Sequence, residues 1–313
     1  MTLSSSALLF AGQGAQFVGM AADLAAAFPV CSALFDRASQ VLGWNLGALC
    51  FKGPEADLTR SDRCQPAVFV AGLAAFRALE ARAPGLNWAA AAGLSLGEWA
   101  ALHAAGVLSF DDTLRVLEAR GRFMQQACEE RPGGMLCVIG LSGEKLVEVC
   151  GRTGVEAANY NSGEQTVLSG ERDRIADAGR VALELGAKRA ITLNVAGAYH
   201  SSLMSSAAAR LEEYLGGVAF QAPKIPVLSN VTGGPHGDDP AGIRRLMVRQ
   251  VTSSVRWVEC VGWLRGRGVT RYVECGPGRV LSGLVKRMDP ESAVLNVQDI
   301  ASLDKTAAAV SAG

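Results

Sequence analysis

Histidine is scarce in this chain, with three in 313 residues: His103, His200 and His236. Any chemistry that needs an imidazole therefore has few candidates. The eight cysteines form no C-x-x-C pair and show no metal-ligand spacing, which argues against a zinc site or a dithiol redox centre. Scattered in a long chain, they read as reduced thiols of a cytoplasmic protein. Net charge is absent too, with 30 basic and 30 acidic residues, so a bulk nucleic-acid binder is not expected. No apolar run is long enough to span a bilayer; the best one is broken by Glu98 and His103. The apolar stretch Ala7–Phe10 lacks a basic segment before it, so no signal peptide is expected. There is no internal repeat and no low-complexity tract. The turn Gly12-Gln13-Gly14 lacks the third glycine of a dinucleotide loop, and no phosphate-loop motif occurs. What remains is a length and an apolar content that suit one large domain, or a domain with a smaller one inserted.

The most informative stretch is Gly93-Leu94-Ser95-Leu96-Gly97, with an apolar run before it and an Ala/Leu/Trp run after it. This is G-x-S-x-G between strand and helix, the context in which it forms a nucleophile elbow. The turn would strain Ser95, and the two glycines would remove side chains that block close packing. Ser95 would stand at a helix N-terminus, where the Leu96 backbone N–H is the natural donor to a developing oxyanion. The plainer alternative is a glycine-flanked turn with an incidental serine.

Along the chain, residues 6–10 read as a buried strand and the Gly12–Gln16 turn as a close approach of backbone and Gln13 to another loop, such as the elbow. A helix is expected from near Val18, a helical stretch over 21–50, and a helix opened by Pro66 at its first position. After the elbow helix ends at Gly106, Asp111-Asp112 open another helix carrying Arg120 among apolar residues. A buried guanidinium there would need an anionic partner; a snorkelling surface arginine is the alternative. From Gly134 the order strand, helix, strand, strand, helix, strand predicts a ferredoxin-like α+β subdomain over 128–197, inserted between the two parts of a large α/β domain, 1–127 and 198–313. A strand is expected at 225–229, helices over 243–250 and 255–265, a strand at 272–274, and a frayed tail after Asp304.

The three histidines separate by context. His103 lies two turns past Ser95 on the same helix and is expected to pack or cap. His236 lies in the polar loop 233–239 and is expected to be exposed. His200 starts a helix at the hinge between the inferred subdomains, where clefts form, and is the best base for Ser95. Activity is then expected to rise through the ordinary imidazole range.

Taken together, Gly12–Gln16, Gln65-Pro66-Ala67, Gly93–Glu98, Arg120–Gln125, Asn161–Gly170, Ala198–Ser201, Gln250 and Glu274–Gly278 resemble the malonyl-CoA:acyl carrier protein transacylases of fatty acid synthesis and the acyltransferase domains of polyketide synthases. They run in the family's order across nearly the whole chain. The resemblance implies a hydrolase-like α/β domain with a ferredoxin-like insert. It implies Ser95 as the nucleophile that carries the acyl group, His200 as general base, and the Gln13 and Leu96 N–H groups as oxyanion hole. It implies that Arg120 receives the malonyl carboxylate and that the Gln250 carbonyl orients the histidine. Tyr199, aromatic just before the histidine, goes with malonyl in polyketide relatives. The implied reaction is ping-pong malonyl transfer from malonyl-CoA to the phosphopantetheine thiol of acyl carrier protein, by a cytoplasmic monomer with no metal, cofactor, nucleic acid or membrane. One departure is Leu94, where most members carry histidine. Competing readings are an esterase or thioesterase using the same Ser-His pair, and a carrier-protein docking module without activity.

Overall fold

The computed structural model describes residues 5–311. In chain order its strands are β1 Ser6–Phe10, β2 Ala90–Gly93, β3 Gly133–Ile139, β4 Glu156–Ser162, β5 Gln165–Glu171, β6 Arg189–Thr192, β7 Arg271–Cys275 and β8 Ala293–Val297. They form two four-stranded sheets. The first has the order β2-β1-β7-β8 and is parallel throughout. Helices cover both of its faces, which is why Leu8, Leu9 and Phe10 read as an unbroken apolar run and are all buried. β1, β2 and β7 end level, with Phe10 opposite both Gly93 and Cys275. The loops that leave these carboxyl ends build one wall of a cleft, the usual ligand position in open α/β sheets.

The second sheet, order β4-β5-β3-β6, is antiparallel. With the helices Glu144–Thr153 and Arg172–Glu184 it completes the β-α-β-β-α-β order expected for a ferredoxin-like unit. Its own core gathers Leu136, Val138, Leu168, Ile175 and Val181. Its other face looks into the cleft through Met135, Cys137 and Val167. The edge strand β4 is tied to the large part by backbone bonds between Tyr160 and Val255 and between Val255 and Ala158.

The two elbow glycines are required by packing. A Cβ on Gly93 would stand 2.1 Å from the Gly97 carbonyl, and one on Gly97 would stand 2.2 Å from the Phe10 carbonyl oxygen. Both obstacles are backbone, so neither can swing aside. Gly97→Ala is expected to lower the unfolding free energy by about 3 kcal/mol. Urea denaturation measures this; an unchanged midpoint would mean that the elbow helix can separate from β1.

Several local expectations are corrected. No helix starts at Val18; the first covers Ala22–Ala27, after Ala21 at φ 57°. The stretch 21–50 is not one helix, because Phe28 is extended ahead of Pro29, and Gly43 takes a left-handed conformation after Leu42. Pro66 is not at a helix start. The helix begins at Ser61, and Pro66 lies within its buried length. The helix over 243–250 begins earlier, at Pro240, behind the side-chain cap of Asp239. The strand at 225–229 is reduced to isolated bridges at Val227 and Leu228. The tail does not fray up to Ser311: Ile300–Ser311 is a helix that buries Leu303, Thr306, Ala307 and Val310. Its alanines are small residues on a packed face, which composition alone does not distinguish from a loose end.

Candidate active site

Ser95 caps the elbow helix Leu96–Ala104 at φ 56° and ψ −105°, a region that non-glycine residues rarely adopt. The surroundings over-determine that conformation. Asn230 Oδ1 accepts the Ser95 N–H at 2.7 Å, and Asn230 Nδ2 donates to the Gly93 carbonyl at 2.8 Å. Gln250 Nε2 donates to the Ser95 carbonyl at 2.9 Å. The strain is held from both sides of the residue, as expected where geometry serves chemistry.

His200 meets the serine from the hinge between the two sheets. Its Nε2 lies 2.8 Å from Ser95 Oγ, and its Nδ1 lies 2.8 Å from the Gln250 carbonyl. A carbonyl only accepts, so Nδ1 carries the proton and Nε2 offers its lone pair to the serine hydroxyl. That is the tautomer a general base requires. His200 is buried and also has a positive φ, 58°. Burial, and then the Arg120 charge, push its pKa down to about 4. It is therefore neutral and able to accept a proton well below neutral pH.

Arg120 is 1% exposed on the helix Phe110–Glu130. Its Nη1 donates to Gln65 Oε1 at 2.7 Å, and its Nη2 donates to Gln250 Oε1 at 3.0 Å and to Ser95 Oγ at 3.1 Å. These partners are all neutral, and Nε has none. Burial pulls the guanidinium down to about 10, which leaves it charged at neutral pH. The snorkelling alternative is excluded. A buried cation without a carboxylate in contact, beside a serine Oγ, is chemically able to receive an anionic group.

The Gln13 loop meets the elbow as expected: a Cβ on Gly12 would stand 2.6 Å from the Leu94 carbonyl oxygen. Gln13 Nε2 donates to Ser61 Oγ at 3.2 Å, and Ser61 Oγ pairs with the Tyr199 hydroxyl at 2.9 Å. Burial pushes Tyr199 up to about 12, so it stays a neutral phenol. Leu96, at the first helical position, has no carbonyl one turn back for its N–H. Gln13 and Tyr199 border a cleft of about 650 Å³. Gln13, Leu94, Ser95, Arg120, Tyr199 and His200 line it from the large part, and β3, β4 and β5 close it from the other side. Leu94, the departure from the common histidine, faces this cleft beside Val280 and Leu284.

The other two histidines stay away from Ser95. His103 packs between Phe69 and Phe110 and its Nδ1 meets the Leu108 carbonyl, as expected. His236 is not exposed: its side chain is fully buried, with Nε2 2.6 Å from Glu98 Oε1. The polar loop folds back over the elbow helix, and the carboxylate that draws it in lies too far along the sequence to be paired with it by pattern. Asn230, Glu98 and Gln65 are among the polar residues of the site that sequence reasoning missed. Glu98 and Gln65 stood in the matched motifs, but nothing in their spacing separated a buried role from a solvated one. Among the described residues no cluster of three or more His, Cys, Asp or Glu is arranged to hold a metal.

Comparison with known proteins gives the family. The acyl transferase domain model matches residues 7–293. The malonyl CoA-acyl carrier protein transacylase of Haemophilus influenzae is 39% identical over 95% of this chain and 96% of its own. The crystal structure of an acyl carrier protein S-malonyltransferase from Vibrio cholerae superposes with a TM-score of 0.92 at 41% identity, covering 97% of this chain and 100% of that one. A malonyl-transacylase solved in complex with its type II polyketide-synthase acyl-carrier protein gives 0.94 at 40% identity, covering 98% and 100%. An elbow serine, a histidine held by a main-chain carbonyl and a buried arginine thus sit in a chain that, by sequence and by fold, belongs to the acyl transferase family, with the malonyl CoA-acyl carrier protein transacylases among its relatives.

Proposed function

We propose that the protein transfers a malonyl group from malonyl-CoA to the phosphopantetheine thiol of an acyl carrier protein, through an ester on Ser95. The observation that carries the substrate class is Arg120: a buried cation, with neutral partners only, 3.1 Å from Ser95 Oγ. His200 Nε2 takes the hydroxyl proton as Ser95 attacks the thioester carbonyl. The Leu96 and Gln13 N–H groups receive the developing oxyanion. The intermediate collapses, CoA leaves as the thiol with the proton from His200, and the malonyl ester remains. The carrier thiol then gives its proton to His200 and attacks the ester, and Ser95 leaves with that proton from His200. The kinetics are ping-pong, and neither step needs a metal or a redox cofactor.

Of the basic pairs in the sequence, Lys286-Arg287 suits an acidic carrier protein best. Arg287 Nη1 donates to Gln165 Oε1 at 3.3 Å, and Gln165 lines the cleft. Lys188 is engaged with Glu164, and Arg245 with Asp239. Among the relatives several are named malonyl CoA-acyl carrier protein transacylase and one is named a polyketide biosynthesis protein, and the acceptor in this reading is a carrier thiol.

The reading is tested by intact-mass measurement after exposure to malonyl-CoA. Wild type is expected to gain one malonyl group and lose it to a holo carrier protein. Ser95→Ala is expected to gain none and to keep its fold, since one hydroxyl is removed. Undiminished labelling of that variant would remove the mechanism. Free malonate as the main product, with carrier protein present, would favour the hydrolase reading instead.

A further inference from the structure

Four polar side chains are buried behind the elbow, and none of them lines the cleft: Glu98, Asn230, His236 and Gln250. Glu98 is their centre. Its Oε2 accepts from the Asn230 N–H at 3.1 Å and from Gln250 Nε2 at 2.5 Å, and its Oε1 accepts from His236 Nε2 at 2.6 Å. From Glu98, hydrogen bonds run through both Asn230 and Gln250 to the reacting groups. Asn230 holds the Ser95 N–H, and Gln250 holds the Ser95 carbonyl, the Arg120 guanidinium and, through its own carbonyl, His200.

The two ends of the Gln250 amide face opposite demands. Nε2 meets two acceptors, Glu98 Oε2 and the Ser95 carbonyl, while Oε1 meets a donor, Arg120 Nη2. A flipped amide would set NH₂ against the guanidinium and oxygen against the carboxylate. The negative charge of Glu98 makes that flip unfavourable in a dry interior. His236 holds the carboxylate in turn. An ionised Glu98 only accepts, so His236 Nε2 carries the proton, and Nδ1 is left without a partner. The backbone bond from His236 N–H to the Val227 carbonyl fastens the loop that carries Asn230.

We propose that Glu98 and His236 are positioning residues for acyl transfer: the carboxylate, held by His236, fixes the Gln250 amide and Asn230, and through them the Ser95 peptide and the Arg120 guanidinium. This rests on the reading of Ser95 and Arg120 given above.

The test uses the whole chain and two readouts. One is the rate at which a fluorophosphonate labels Ser95. The other is the ratio of malonyl-CoA to acetyl-CoA acylation. Glu98→Gln keeps the shape and removes the charge. Its amide can donate to His236 Nε2, whose proton moves to Nδ1, an atom without a partner in either form, so the fold is expected to persist with a melting temperature lowered by about 5 °C at most. Labelling is expected to slow about tenfold, and the malonyl preference to fall about tenfold. His236→Leu is expected to do the same, while His236→Gln, whose amide can still donate to Glu98, stays within about twofold of wild type. Folded Glu98→Gln and His236→Leu proteins with both readouts unmoved would overturn the proposal. So would equal losses in His236→Gln and His236→Leu, a comparison that decides the matter even if Glu98→Gln fails to fold. Fluorophosphonate labelling needs no malonyl group. A wild type that labels but takes no malonyl therefore sinks the transfer reading and still leaves the pair testable.

Discussion

His200→Ala is expected to slow malonyl transfer by about two to four powers of ten, the range for loss of a general base. The serine would keep its place, since Asn230 and Gln250 hold its peptide independently of the imidazole. What is lost is the proton acceptor 2.8 Å from Oγ. No other histidine can substitute: His103 is held at the Leu108 carbonyl, and His236 is held by Glu98. Single-turnover acylation by malonyl-CoA measures the effect, and a loss smaller than tenfold would mean that another group takes the proton.

The pH profile of wild type follows from the same residue. Sequence reasoning places the acid limb in the ordinary imidazole range. The structure moves it down, because burial and the neighbouring Arg120 hold His200 at about 4. The sign is fixed by the role: a base works deprotonated, so the rate of acylation stays level as pH falls from neutral and declines only as pH approaches about 4. A malonyl carboxylate on Arg120 offsets part of the charge that repels the proton. The acid limb of kcat/KM for the second half-reaction, which starts from the malonyl ester, is therefore expected at higher pH than that of kcat/KM for the first, which starts from the empty site. Rapid-quench rates of the two half-reactions across pH separate them.

The elbow was legible in the sequence because its requirements are local. Gly93 and Gly97 must lack side chains, and the serine between them must start a helix. The ferredoxin-like insert was legible for a similar reason, since alternation and helical periodicity follow each other without long gaps. The meeting of His200 with Ser95 was legible by scarcity, because few histidines competed for that position. Glu98, Asn230 and His236 were not legible, because their partners lie more than a hundred residues away and polar residues carry no periodic signature of burial. Pro66 and the Ile300–Ser311 helix misled for the opposite reason: a residue type with a strong local meaning was overridden by the packing around it.

Arg120→Ala is expected to separate substrate choice from chemistry. Malonyl-CoA differs from acetyl-CoA by one carboxylate. Bringing that carboxylate into a closed cleft costs several kcal/mol unless a cation receives it. Arg120 waits with a charge that burial makes costly and with no anionic partner in contact. The carboxylate satisfies the arginine as the arginine satisfies it, and a planar guanidinium can do so with two parallel hydrogen bonds. An acetyl group leaves the cation as poorly paired as before, so it gains nothing from the site. Removing Arg120 should therefore lower kcat/KM for malonyl-CoA by about a hundredfold or more, the loss that follows when one partner of a buried charge pair is deleted. Acetyl transfer should hold or improve. Lysine cannot reproduce the paired contact and would have to reach past Gln65, so Arg120→Lys is expected to fall nearer to alanine than to wild type. The same variant should raise the acid limb of acylation, because the arginine charge is one of the two causes that hold His200 down. The decisive measurement is the ratio of kcat/KM values for malonyl-CoA and acetyl-CoA in the three proteins. A ratio that does not move would make Arg120 a structural cation and leave Ser95 and His200 acting on some other acyl group.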